Sequence, residues 1–219
     1  MPSKTERLLE KNSFLLTRGH DFVEIGGVKW ATCNIGAEKP TDTGLYFQWG
    51  DTRGYTAAQV GNKKGQKSFS WADYKLLESG FLKYNDIDGK LVLDVEDDAA
   101  HVNWGGAWRM PTREEFDTLA YGNTVTTFWA NDYQDSGVAG LVCIDKTDSS
   151  KELFLPAVGG CSLGIVTFIN DAGYYLSKSL NMVFRSYCYN LVFNNLSKTP
   201  IRTDSGRFRG HTIRGVLDI

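Results

Sequence analysis

The residues of this 219-residue chain with the widest chemical repertoire are four cysteines, three histidines and a run of aspartates. Cys33, Cys143, Cys161 and Cys188 stand 110, 18 and 27 positions apart. That spacing contains no Cys-x-x-Cys pair for a metal or redox centre, and cysteines without one behave as small buried hydrophobes carrying free thiols. Neither His-Glu-x-x-His nor Gly-x-x-x-x-Gly-Lys occurs, so no metalloprotease or nucleotide-phosphate site is expected. Of the histidines, His20 stands alone, His101 beside "DDAA" is expected to make a structural hydrogen bond, and His211 a pH-sensitive contact.

The segment "GFLKYNDIDGKLVLDVEDDAA" has the acid density of a calcium loop but not its order. An EF-hand needs an acid first and a glutamate twelfth. Aligning on Gly89 puts Tyr84 and Val95 there, with Glu96 one place late. The simplest reading is a solvated acidic hairpin turning at Asp88-Gly89. The alternative is another kind of cation site drawn from Asp86, Asp88, Asp94, Asp97 or Asp98. No metal or cofactor is expected.

The stretch over 185–216, "RSYCYNLVFNNLSKTPIRTDSGRFRGHTIRGV", mixes aromatic, basic and small polar residues. Strand runs at 190–193 and 211–217 frame it, and no period is evident between them. Its arginines and lysine against Asp204 give a local charge of +5, although the whole chain carries −2. Such a patch steers partners with acidic epitopes. Tyrosine and arginine with serine, glycine and asparagine is also the mix that antibody loops use for contact.

The elements that must position these residues are short. With 42% apolar, 23% charged and 13% aromatic residues and 23 glycines, the chain reads as α+β, mostly short strands with one or two helices. The overall acidity excludes a generally basic nucleic-acid binder. Residues 1–19 form an extension, with Leu8, Leu9, Leu15 and Leu16 near helical spacing. They hold no uninterrupted apolar run, so neither a signal peptide nor membrane insertion is expected there. Residues 20–219 read as one domain. It opens with a hairpin turning at Gly26-Gly27, and "GNKKGQKSFS" is an exposed loop. A helix is expected within "RMPTREEFDTLA", where Thr112 and Glu115 make a capping box and Phe116 and Leu119 face inward. Then "GLVCIDKT", "ELFLPAVGG", "GYYLSKSL", "YNLVFNN" and "TIRGVLDI" are strands.

Five ordered landmarks carry a resemblance: "HDFVEIGGVKWATCNIGAEKPTDTGLYFQWGDT", "DDAAHVNWGGAWRMPTREEF", "FLPAVGG", "GYYLSKSLN" and "HTIRGV". They look like those of the Fibrobacter succinogenes major paralogous domain family. That resemblance implies a C-type lectin-like fold of the branch shared with formylglycine-generating enzymes. The family is common in Bacteroides surface proteins and in variable proteins of diversity-generating retroelements, many carried by phages. In the variable proteins, copying errors at template adenines rewrite the end of the gene on a fixed scaffold. The frame "SLN", "YNL-x-F" and "G-x-T-I-R-G-V" survives here. Between its parts stand Val183, Phe184, Arg185, Ser186, Tyr187, Val192, Ser197, Arg202, Asp204, Ser205, Arg209 and His211, the expected ligand-binding set within a variable region over about 182–211.

The resemblance implies a non-enzymatic recognition module on a cell surface or virion. Its expected partner is a protein ligand on a cell or phage surface, with a glycan as the second choice. A constant surface adhesin of the same family is the alternative. Formylglycine-generating enzymes hold copper with two cysteines five residues apart; Cys188 matches the later one, but Val183 occupies the earlier position, so a two-thiolate centre cannot form. The Glu-Pro-Asn, Gln-Pro-Asp and Trp-Asn-Asp tripeptides of calcium-dependent sugar binding are also missing. Arg214, in the closing landmark, is expected to anchor the terminal strand. Gly215 replaces a usual proline and Leu176 a usual tryptophan.

Overall fold

A computed structural model describes residues 4–219, except for the side chains of residues 4, 5, 8 and 9. The extension is a helix, α1 (Lys4–Thr17), so the leucine spacing at Leu8 and Leu9 concerns side chains outside the described ones. Its last turn rests on the domain: Leu16 O accepts from Ala107 N at 3.0 Å and Thr17 O from the Trp108 indole at 2.6 Å. The expected first hairpin follows, β1 (Phe22–Ile25) with β2 (Val28–Ala31), in register Ile25 to Val28. Gly26 and Gly27 have φ of 61° and 78°, the doubly left-handed turn that matches strand twist and that side chains resist.

The acidic hairpin does not form. Residues 77–98 run as successive turns, in which the carboxylates of Asp86, Asp88, Asp94, Glu96, Asp97 and Asp98 find partners inside the protein. Asp88 accepts from the amides of Tyr84, Asn85 and Lys90, and Asp98 from those of Ala100, His101 and Met110. Asp86 pairs with Arg185. Asp94, Glu96 and Asp97 converge as ion ligands would, but the Lys83 ammonium pairs with all three. The position between the three carboxylates is thereby taken by the chain's own cation, with Lys90 also paired to Asp94. The expected exposed loop also ends early, because Lys67 is buried between Asp51 and Asp73, and Phe69 is fully buried.

Asp98 caps a short helix that the sequence reading does not foresee, α2 (Ala99–Trp104), which leads to β3 (Trp108–Arg109). The capping-box helix is present as α3 (Arg113–Tyr121), with Thr112 Oγ1 accepting from Glu115 N and both Phe116 and Leu119 buried. Eight strands follow: β4 (Val125–Ala130), β5 (Gly140–Asp145), β6 (Glu152–Pro156), β7 (Val158–Ser162), β8 (Ile165–Ile169), β9 (Ala172–Leu180), β10 (Tyr187–Asn194) and β11 (Ile201–Gly206). The last element, β12 (Val216–Leu217), inserts between β2 and β3, so the end of the domain is sewn to its beginning. The protein is α+β with mostly strands, in sheets ordered β1-β2-β12-β3, β4-β5-β6 and β11-β10-β9-β7-β8.

One apolar core joins Trp30, Phe116, Leu141, Leu155, Tyr175 and Phe193, with Trp30 stacked on Phe116. A second, around Trp49, Tyr84, Leu176, Cys188 and Ile213, lies beneath the C-terminal segment. Leu176 is therefore a packed core residue. Arg214 is anchored as expected, without an acid: Nη1 donates to Ala31 O and Thr32 O and Nε to the Asn34 amide oxygen. A Cβ on Gly215 would come within 2.7 Å of the Trp104 ring, so this position has no room for a side chain.

Candidate recognition site

The 185–216 stretch is more regular than its sequence suggests. β11 lies inside it and pairs antiparallel with β10, from Tyr187 opposite Gly206 to Val192 opposite Ile201. This strand is hidden from periodicity because one sheet face packs on α3 while the other opens to a cavity, so both parities carry polar residues. On the α3 face, Arg202 pairs with Asp117 at 2.6 Å, and its guanidinium lies 5.1 Å over the Tyr189 ring.

On the opposite face, the sheet floors a cavity of about 770 Å³. Tyr174, Val192, Thr203 and Ser205 contribute to its lining from three strands, and Trp71, Leu77, Phe81 and Phe208 form an aromatic and aliphatic wall. That volume lies within the range of pockets that take small ligands or side-chain groups. Trp71 is fixed by ring contacts to Phe208 at 4.8 Å and Phe81 at 5.8 Å. Of the residues singled out in the sequence, Ser186, Tyr187, Val192, Asp204, Ser205, Arg209 and His211 meet at this cavity.

The other five lie around it or away from it. Asn181 Oδ1 accepts from the amides of Val183 and Phe184, a turn that leaves these side chains 76% and 63% exposed. Phe184 touches Tyr187 edge to face, at 6.3 Å, extending the apolar surface beyond the cavity mouth. Arg185 is tied to Asp86 at 2.9 Å. Ser197 sits in the β10–β11 loop, its amide held by Asn194 Oδ1, and Arg202 belongs to the α3 face. Neither Ser197 nor Arg202 lines the cavity.

The local charge of +5 also shrinks on folding. Arg207 and Arg214 are fully buried, and Arg185 and Arg202 are paired with acids. Arg209 and Lys198 remain without ion pairs among the described residues, and only Arg209 lines the cavity. Arg207 forms the scaffold beneath the wall. Its guanidinium lies 4.3 Å over Phe81 and 4.8 Å over Trp49, and it donates to Tyr74 Oη and to the carbonyls of Lys83, Tyr84 and Arg185.

His211 departs from the expected pH-sensitive contact. Its ring is buried, stacks on Tyr174 and shares Nδ1 with Asn190 Oδ1 at 3.3 Å. Asn190 Nδ2 already donates to Cys188 O and Ser205 Oγ, so its Oδ1 accepts the proton that His211 Nδ1 carries. Burial, helped by Arg209, depresses the imidazole to about 3, and it stays neutral at physiological pH. Unfolding restores the ordinary 6.5, so the unfolded chain takes up a proton that the native one refuses. Stability from this group is complete above 6.5 and falls as pH drops toward 3. The loss is roughly 2 kcal/mol by about pH 5 and goes on growing below it. Urea unfolding of wild type and His211→Asn across that interval should show a flatter acid limb for the variant; parallel limbs would contradict the assignment.

Little in the cavity suits it for proton transfer or nucleophilic attack. Cys188 lies beneath it, fully buried, with its thiol pushed up to about 12, and Cys143 and Cys161 are shifted equally far by burial. Cys33 is half-buried, unlike the expectation of four buried thiols. A Gly-x-Ser-x-Gly spacing occurs at Gly160-Cys161-Ser162-Leu163-Gly164. It runs from β7 into the β8 hairpin, not from a strand into a helix, so it does not form a nucleophile elbow.

Trp71, Leu77, Phe81, Tyr174, Thr203 and Phe208 are cavity residues that the sequence reading omits. Phe208, between two arginines inside the quoted stretch, was within reach. Trp71 and Phe81 arrive from a loop more than a hundred residues away and give no local signal. No described helix is long and apolar enough to cross a membrane. Comparison with family models, curated proteins and solved structures finds no match for the chain.

Proposed function

We propose that the protein is a non-enzymatic recognition module: a C-type lectin-like scaffold that displays a diversified binding surface, as the variable protein of a diversity-generating retroelement does, and that engages a target on a cell or phage surface. The observation that carries this reading is the convergence at one cavity of Ser186, Tyr187, Val192, Asp204, Ser205, Arg209 and His211. All seven interrupt the fixed sequence frame, and they come from two strands and two flanking loops.

The chemistry of the lining favours binding over turnover. A neutral, buried imidazole depressed to about 3 is a poor general base at neutral pH, and the nearest thiol is protonated. Aromatic faces, hydroxyls and a single unpaired arginine are instead the composition of contact surfaces. Recognition of this kind requires no cofactor or metal. The test is the DNA beside the gene: a near-copy of the 3′ end differing at adenines, next to a reverse-transcriptase gene, is the expected arrangement. An isolated gene without such a repeat would overturn the diversified reading and favour a constant surface adhesin.

A further inference from the structure

The charged groups facing the cavity are few enough to specify what it accepts. Arg209 is exposed, lies 5.8 Å over the Phe208 ring and makes no ion pair among the described residues. Asp204, the one carboxylate in the lining, already accepts from Asn181 Nδ2 at 2.6 Å. Behind Phe81 stands the buried Arg207 guanidinium, held only by neutral oxygens and ring faces. The site therefore faces a ligand with one unpaired cation and one engaged anion, with a second cation buried behind its wall, and a group carrying negative charge is the complement.

The backbone at the rim adds a second constraint. β11 is a terminal strand of its sheet. Arg207 N donates to Ser186 O across the β10 side, and Arg202 N turns the other way to the Tyr121 hydroxyl at 3.0 Å. In an antiparallel ladder the amides alternate between the two sides, so the N–H and C=O of Asp204 point away from β10, beside the cavity. An unpaired strand edge of this kind accepts an extended chain through main-chain hydrogen bonds while side chains enter the adjoining pocket. The apolar surface continuing outward through Tyr187 to Phe184 and Val183 suits a peptide better than a sugar, whose hydroxyls would be desolvated there without partners.

Taking the cavity to be a recognition site, we infer that its ligand is an acidic peptide segment laid along the free edge of β11, with a carboxylate on Arg209 and a neighbouring apolar side chain against Trp71, Phe81 and Phe208.

Panning a random linear peptide library on the full chain, with an array of acidic and neutral glycans in parallel, tests this. The expected result is enrichment of peptides pairing Asp or Glu with a large apolar residue. A synthetic peptide of that pattern should bind at least roughly tenfold more weakly to Arg209→Glu, and exchanging its acid for lysine should recover part of the loss. Because the Arg209 side chain is exposed, the variant should melt with wild type. Enriched peptides without acids, or binding indifferent to Arg209→Glu, would overturn the inference. So would binding of acidic glycans without peptides, which would leave the recognition reading intact. Absence of any binder in either format would overturn both.

Discussion

Arg207→Ala is expected to lower the unfolding free energy by roughly 3–5 kcal/mol, through lost cation–π contacts and several buried acceptors left without a donor. The side chain is fully buried and has no acid partner, so the loss is not that of an ion pair. It would remove a cation seated against Phe81, Trp49 and Tyr74 and leave the carbonyls of Lys83, Tyr84 and Arg185 without this donor. Desolvated cation–π contacts contribute about 2 kcal/mol and each unsatisfied buried acceptor costs about 1–3 kcal/mol, so the two effects act together. Lysine should not rescue, because one ammonium lacks the planar fork that reaches several carbonyls while covering a ring. Guanidinium unfolding of both variants measures this. A loss below about 1 kcal/mol would show that the cage is dispensable.

Tyr187→Ala should have the opposite signature. Tyr187 is 42% exposed at the cavity mouth and touches only Phe184 among aromatic rings. Truncating a partly exposed aromatic anchor typically costs about 2 kcal/mol or more of binding, a loss of roughly thirtyfold, while stability should change by less than about 0.5 kcal/mol. Arg202→Ala is the contrasting control. Its guanidinium lies against Asp117 and Tyr189 on the α3 face, so it should bind as wild type does and lose roughly 1 kcal/mol of stability. Titrating an acidic peptide from the selection against the three proteins separates the two faces of the sheet. Equal binding losses for both variants would contradict the division.

The parts of the fold written in local rules were legible in the sequence. Gly26-Gly27 announces its hairpin and Thr112 with Glu115 its helix, because turn and cap chemistry are local. A near-continuous apolar strand buried on both faces was also legible, at 140–145. β11 was not, because its four central residues are all polar, and nothing in that pattern reveals that Arg202 meets a helix while Thr203 and Ser205 line a cavity. The acidic turns were read as solvated because the partners of their carboxylates, Arg185 and Lys83 among them, are fixed by tertiary contacts. The candidate site was partly legible for the same reason: Tyr187, Ser205 and Arg209 stand out against a frame, but Trp71 and Phe81 become site residues only when a distant loop folds over the sheet. Charge misled most, since Arg207 and Arg214 look alike in sequence to Arg209 and are buried.

The most direct measurement is the sequence of the 3′ end of this gene across many members of its source population, mapped onto the cavity. Substitutions are predicted to fall at Tyr187, Val192, Asp204, Ser205 and Arg209 and on the exposed turn at Val183 and Phe184. The buried Arg207, Asn190, Leu191 and Arg214 should stay fixed. An invariant 3′ end, or substitutions scattered equally over buried and cavity positions, would contradict the account of a scaffold displaying a varied binding surface.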